Sequence, residues 1–361
     1  MQLNLLGPIN QLGYGVACLN IVKALWDEGV DVSLFPIGQP QVTNKEDELA
    51  VKRSLDVATT YSPDAPSLRI WHQNSLAEHV GRGKHIGFPI FELDEFKPIE
   101  KHHIASCDKI FVCSEWAKGV VHDQVEVWYD REPPPRKPRL QDVDVVPLGV
   151  DANLFPPTAP TKKDKIVFFN CGKWEVRKGH DFLIRAFQIA HAHDPRLELW
   201  MMCTNPFNTE KEESQWRQRY NHPAVKIIPR AETQQEVYNI MAQTDCGVFP
   251  SRGEGWNLEL LEMMSVGRSV IATDYSAHTE FCTKENCRLI DVHETEKAYD
   301  NKWFFGQGSW AKIDESIIFE LSLAMQSFAE NYKWKINEEG VKTAEKFSWQ
   351  NTAQRIISGA S

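Results

Sequence analysis

The eight cysteines include no CxxC pair; the closest two, Cys282 and Cys287, have four residues between them. Such spacing does not make a zinc set, so no metal site is expected. No secretion leader is expected either. The opening MQLNLLGPINQLGYG has no charged n-region and an apolar run too short for a signal peptide, and it reads instead as a first strand running into a glycine turn. Reduced thiols and a cytoplasmic location are the matching expectation. No stretch approaches ~18 consecutive apolar residues, so no membrane-spanning helix is expected, and contact with a membrane is limited to its periphery. An excess of basic residues is also lacking. Forty Lys and Arg stand against fifty Asp and Glu, for a formal net charge of −10. A general nucleic-acid binder would carry the opposite balance.

What remains is ordinary for a globular protein, with 42% hydrophobic and 25% charged residues over 361 positions. That length suits two domains better than one large core. Short β-branched and aromatic runs alternate with helix-like segments, the pattern of parallel α/β sheets. Strands are expected at 3–6, 30–35, 68–71, 85–89, 109–113 and 143–147, with an amphipathic helix over 16–28. The series restarts at 165–171 and continues at 198–203, 225–228, 246–249, 269–272 and 288–290. Between the two series lies FPPTAPTKKDK (155–165), a linker by composition. The expected division is a Rossmann-like domain over 1–157, a second over 158–333, and closing helices over 334–361. A second irregular stretch, YDREPPPRKPR (129–139), reads as an exposed polyproline loop within the first domain.

Three segments carry chemistry. In PSRGEGWNLELLEMMSVG (250–267) a buried strand gives way to a glycine turn and then to a helix opening near Asn257. The free N–H groups of that helix start suit sugar hydroxyls or phosphate oxygens. Glu254 sits in the turn and Glu262 eight positions on, within the helix. The plainer alternative leaves Glu259 and Glu262 complementing the helix dipole while Leu260, Leu261 and Met264 pack the core. In FNCGKWEVRKG (169–179) another strand runs into a glycine turn at Gly172, followed by the cations Lys173, Arg177 and Lys178. A diphosphate needs such neutralisation, and more of it as charge develops on a leaving group. The third segment is Gly13-Tyr14-Gly15, at the first strand-to-helix turn, where glycine lets backbone approach a ligand. His72 ends the strand at 68–71, where α/β sites lie. Glu92, Asp94 and Glu95 form an acidic cluster after another strand.

PSRGEGWNLELLEMMSVGRSVIATD resembles the Glu-x7-Glu segment of the retaining GT-B glycosyltransferases of family 4. FNCGKWEVRKG is similar to that family's Gly-Arg…Lys-Gly segment, with Lys173 at the arginine position. That departure substitutes a point charge for a bidentate fork. CSEWAKGVV (113–121), VPLGVDANLF (146–155) and FSWQNTAQRII (347–357) resemble further segments of the same family. The resemblance implies a GT-B fold, two facing Rossmann-like doubly wound domains with a cleft between them, the last helix crossing back to the first. It implies transfer of a sugar from a nucleoside-diphosphate sugar to a hydroxyl acceptor, with retention and without a metal-held diphosphate or another cofactor. Lys173 and Lys178 would stabilise the departing diphosphate and Glu254 would hold the sugar. Glu262 would reach the ribose, with Gly172, Arg177 and the groups of Gly255, Trp256, Asn257 and Leu258 around the donor. Arg230, at the end of 228–230, would stand near the base. Gly13 and Gly15 would face donor or acceptor, His72 would orient either, and Glu92 and Asp94 would lie on the acceptor side. Two other readings stay open: a GT-B epimerase or hydrolase, and a DNA- or polysaccharide-directed protein on the same scaffold.

Overall fold

A computed structural model describes residues 1–126 and 143–361. The polyproline loop expected at 129–139 falls outside the described residues. The chain divides into two compact units, Met1–Gly149 with Phe347–Ser361, and Val150–Lys346.

The first unit is built on six parallel strands in the order β2-β1-β3-β4-β5-β6. They are β1 (Gln2–Gly7), β2 (Asp31–Pro36), β3 (Ser67–Ile70), β4 (His85–Phe88), β5 (Lys109–Val112) and β6 (Val143–Val145). β3 and β4 are buried at every position. A strand covered on both faces is buried without alternation, and the polar side chains this encloses are bonded: Ser67 Oγ accepts the Val80 N–H at 3.0 Å and Arg69 pairs with Glu78 at 2.7 Å. Helix α1 (Gly13–Asp27) buries Ala17, Cys18, Ile21, Val22 and Leu25 on the side that meets the sheet. Asn44 and Ser114 cap helices α2 (Lys45–Ala58) and α3 (Glu115–Val121) by accepting a backbone N–H of the first turn. The final helix, Trp349–Ala360, packs against α1, and its Thr352 Oγ1 donates to the Pro147 carbonyl at 2.8 Å. Gly149 makes that approach close: a Cβ there would stand 2.2 Å from the Trp349 nitrogen.

The second unit repeats the plan with the order β12-β11-β10-β7-β8-β9, again all parallel. Its strands are β7 (Ile166–Gly172), β8 (Leu197–Cys203), β9 (Val225–Ile227), β10 (Cys246–Phe249), β11 (Ser269–Asp274) and β12 (Arg288–Asp291). Numbered within the unit, this is 6-5-4-1-2-3, the doubly wound order that binds ligands where the winding reverses. The reversal lies between β7 and β10. Phe168, Phe187, Leu197, Leu199, Met201, Leu321 and Met325 fill the core on one side of the sheet, each burial contributing about 1.5–3 kcal/mol. The helix Glu315–Asn331, capped by Asp314, lies on Leu183–His193.

All twelve expected strands form, within about two residues at their ends. One element was not foreseen. An antiparallel hairpin, β13 (Thr295–Tyr299) with β14 (Phe305–Ala311), follows β12. Its sequence, TEKAYDNKWFFGQGSWA, mixes charge, glycine and aromatics without a clean period of two.

Candidate functional site

Two strand-to-helix turns meet at the reversal in the second unit, one after β7 and one after β10. The β7 turn is held from beneath by a buried network. His180 donates from Nε2 to Asn170 Oδ1 at 2.8 Å and accepts the Glu175 N–H on Nδ1 at 3.2 Å. Asn170 in turn donates to the Val248 carbonyl of β10 at 2.7 Å. Burial first, then the nearby Lys178 charge, pushes His180 down to about 3, so its neutral tautomer is locked. Gly179 supplies the close approach between the turns. Its φ is +77°, and a Cβ would lie 2.3 Å from the Pro250 carbonyl.

Arg252 staples the turns from the side. It donates to both Asp181 oxygens at 2.6 and 2.8 Å and to the Val176 carbonyl at 2.7 Å. Its own N–H meets the Arg177 carbonyl at 2.7 Å.

Above this support lies an ion cluster. Glu254 accepts from Arg177 Nη1 at 2.7 Å and from Ser251 Oγ at 2.7 Å, and pairs with Lys178 Nζ at 2.9 Å. Glu175 bridges Arg177 and Lys173, each at 2.9 Å. Arg177, Lys178, Glu175 and Glu254 are all nine-tenths buried or more. Burial opposes the charge of Glu254, but Arg177 and Lys178 outweigh it and hold the carboxyl far below the usual range. Lys178 behaves correspondingly. Desolvation pulls it down, and the Glu254 and Glu259 charges more than compensate, so it remains an ammonium. Three cations thus face the fully engaged carboxylates of Glu175 and Glu254, with the Glu259 charge acting on Lys178 as well.

The helix Leu258–Ser265 opens beside this cluster. Asn257 precedes it with φ 97° and ψ 77°, a left-handed conformation uncommon for a residue with a side chain. Two bonds hold it there. Its Oδ1 accepts the Leu260 N–H at 3.2 Å, and its Nδ2 donates to His278 Nε2 at 2.9 Å. His278 then donates from Nδ1 to the Thr273 carbonyl at 2.9 Å. Burial lowers the His278 pKa, which keeps that ring neutral. Ser276 accepts the Glu254 N–H at 2.8 Å and fixes the turn from the same side.

Glu262 differs from its neighbours. It is 8% exposed, and its carboxyl has no hydrogen bond or ion pair among the described residues. Burial, and next the charge of Glu259, pushes it up to about 8. A neutral carboxyl can donate as well as accept, which suits a vicinal diol.

Lys173, Arg177, Lys178 and Glu254 thus form one cluster, with Gly172 at its edge. Gly172 has φ +133°, and a Cβ there would meet the Lys178 Cε at 3.5 Å. Glu262 adjoins the cluster; it and Lys178 both act on the Cys171 thiol at the end of β7. Gly255, Trp256 and Leu258 flank Asn257, but the Trp256 ring points inward onto Phe281, centroids 4.9 Å apart. Arg230 is exposed, three residues past β9, the edge strand of the sheet. Glu175, Ser251, His180, Ser276 and His278 were not singled out from the sequence, since nothing local distinguishes them.

The first unit has a reversal of its own, between β1 and β3. Tyr14 and His72 meet there with ring centroids 4.7 Å apart, and Trp71 lies 4.8 Å from His72. Tyr14 donates to the Ile90 carbonyl at 2.7 Å, tying the first turn to the segment that carries Glu92 and Asp94. Glu92 raises the Tyr14 pKa further, after burial. The two glycines differ. A Cβ on Gly13 would meet nothing, whereas one on Gly15 would stand 2.3 Å from the Asn10 carbonyl. Gly15 therefore serves an internal contact with Asn10.

All eight cysteines are buried and free. Among the described residues no group of three or more His, Cys, Asp or Glu is placed to hold a metal ion, and no helix is long and apolar enough to cross a membrane.

Residues 164–301, within the second unit, match the family model described as glycosyl transferases group 1. No curated protein matches the chain in sequence. Among solved structures, the Escherichia coli protein described as trehalose-6-phosphate bound with UDP-2-fluoro glucose superposes with a TM-score of 0.70 at 11% identity, over 100% of this chain and 99% of its own. Sucrose-phosphate synthase of Thermosynechococcus elongatus gives 0.69 at 14%, over 99% and 98%. Anabaena HepE in complex with UDP and glucose gives 0.67 at 15%, over 99% of both chains. The fold is GT-B.

Proposed function

We propose that this protein is a glycosyltransferase that takes a sugar from a nucleoside-diphosphate sugar and passes it to a hydroxyl acceptor, with retention of configuration and without a metal. The observation that carries the reading is the buried Arg177–Lys178–Glu254 cluster at the winding reversal, within the segment that matches the group 1 model.

In this reading the diphosphate lies against Lys173, Arg177, Lys178 and the N–H groups at the start of Leu258–Ser265. Their charge is already in place when the bond between C1 and the diphosphate oxygen breaks, so no reorganisation is needed in the transition state. The acceptor oxygen bonds to C1 on the face the diphosphate leaves, and its proton passes to a leaving phosphate oxygen. Glu254, pinned by four groups, presents a fixed negative charge to the sugar as C1 becomes electron-poor. Glu262 binds the ribose diol. His72, Glu92 and Asp94 are assigned to the acceptor.

The relatives bound to UDP or a UDP-sugar make UDP the first base to test. With EDTA present, UDP-, GDP- and ADP-sugars are compared by thermal shift. A donor at 100-fold its Kd adds about 2.7 kcal/mol, or about 5 °C. The expected result is one such shift that Lys178→Ala abolishes, with turnover of the matching donor lowered about 10²- to 10³-fold. Wild-type response to none of them overturns the reading, and a shift only with manganese or magnesium overturns the metal-free part. Free sugar released at full rate without any acceptor identifies a hydrolase instead.

A further inference from the structure

Among the exposed aromatic side chains of the second unit, Phe207 at 54%, Tyr299 at 53%, Trp303 at 46% and Phe305 at 66% lie on or against the hairpin β13–β14. They form two edge-to-face pairs. Phe207 and Trp303 have centroids 5.8 Å apart, and Tyr299 and Phe305, opposite each other across the hairpin, are 6.2 Å apart. Solvent-facing aromatics so grouped are costly unless something covers them.

The hairpin that carries three of them is fastened to two loops around the candidate donor site. At its base, the Ala311 N–H donates to the Arg252 carbonyl at 2.8 Å, and the Arg252 guanidinium lies over the buried Trp310 ring at 5.6 Å. At its tip, Lys302 Nζ donates to Asn208 Oδ1 at 2.7 Å and pairs with Glu212 at 2.8 Å. Asp300 Oδ1 accepts the N–H groups of Lys302, Trp303 and Phe304 at 2.7–2.9 Å, which sets the tip in one shape. Phe207 in turn lies beneath Lys173, whose ammonium is 5.8 Å from the ring centre. The patch is therefore continuous with the β7 turn.

Charge narrows what the patch takes. From Glu294 to Lys312 three acids balance three lysines, on a chain of net charge −10. An anionic membrane or a nucleic acid would need a basic surface. A neutral sugar ring does not. The C–H bonds on one face of a pyranose are weakly positive and complement the negative face of an aromatic ring. We propose that Phe207 and the hairpin residues Tyr299, Trp303 and Phe305 form a platform on which a saccharide acceptor stacks beside the donor site. This rests on the glycosyltransferase reading and extends it, naming a glycan as acceptor.

The test is binding rather than turnover. Neutral oligosaccharides of glucose, mannose and N-acetylglucosamine, each about six units long, are titrated onto the full chain by saturation-transfer NMR and calorimetry. Trp303→Ala and Phe305→Ala are run in parallel, with the nucleotide-sugar thermal shift as a separate readout. The expected result is an oligosaccharide that wild type binds and that each variant binds at least about fivefold more weakly, the donor shift staying unchanged. Unaltered affinity in both variants overturns the platform, as does the absence of binding to any oligosaccharide. So does loss, in both variants, of wild-type binding to phosphatidylcholine vesicles or of wild-type self-association in sedimentation. Absence of a donor shift in wild type would instead strike the glycosyltransferase reading, which the oligosaccharide titration does not probe.

Discussion

At residue 262 a carboxyl group is buried without a partner among the described residues, one helical turn from Glu259, and burial pushes it up from 4.5 to about 8. Between those two values the folded protein holds a proton that the unfolded chain releases. The contribution of this group to stability is therefore fully present below about 4.5 and is lost as pH rises from there to about 8, by up to about 1.4 kcal/mol per pH unit. Glu262→Gln removes that component. Denaturant midpoints at pH 5 and pH 8.5 should show the variant gaining on wild type as pH rises. Parallel behaviour at both values would mean that the carboxylate finds a partner in solution. Glu254 lies at the opposite extreme, its charge held by Arg177 and Lys178. Two glutamates eight positions apart in one motif are thus separated by environment into an anion and an acid.

The strand-turn-helix units are the level at which most of the site is assembled. Gly179 sits where the β7 and β10 turns touch, and its neighbour there is backbone, which cannot swing aside. Gly179→Ala combines a strained φ with that clash and should cost more than about 2 kcal/mol. Gly13→Ala, at the first turn of α1, meets open space and a negative φ, so it should be neutral or slightly stabilising. Chemical denaturation of both variants checks the contrast; equal effects would show that the two turns do not need their present contact. The turns after β7 and β10 were legible from glycine spacing and charge. The hairpin β13–β14 was not, because its stability comes from Trp310 under Arg252 and Lys302 on Asn208, contacts that leave no local period.

For the whole molecule, the last fifteen residues are covalently an extension of the second unit and structurally part of the first. Trp349, Ala353, Ile356 and Ala360 are all buried. A chain ending at Lys346 loses that packing, so hydrogen exchange should quicken through Met1–Gly149 while Val150–Lys346 keeps its protection. Uniform loss across both units would show them to be one cooperative body. What the sequence by itself determined is the inventory: two series of parallel strands, the glycine turns, three cations after β7, and the paired glutamates after β10. These are local, each legible from period or turn chemistry within about twenty residues. Only the tertiary structure decided which of them meet. The order 6-5-4-1-2-3 places β10 beside β7 and so brings Glu254 onto Arg177, 77 positions away. The packing of the two turns also buries Glu175 and the neutral His180 and His278 braces, and isolates Glu262. Burial and charge pairing depend on neighbours that strand order selects, and strand order is a property of the packed sheet rather than of any segment in it.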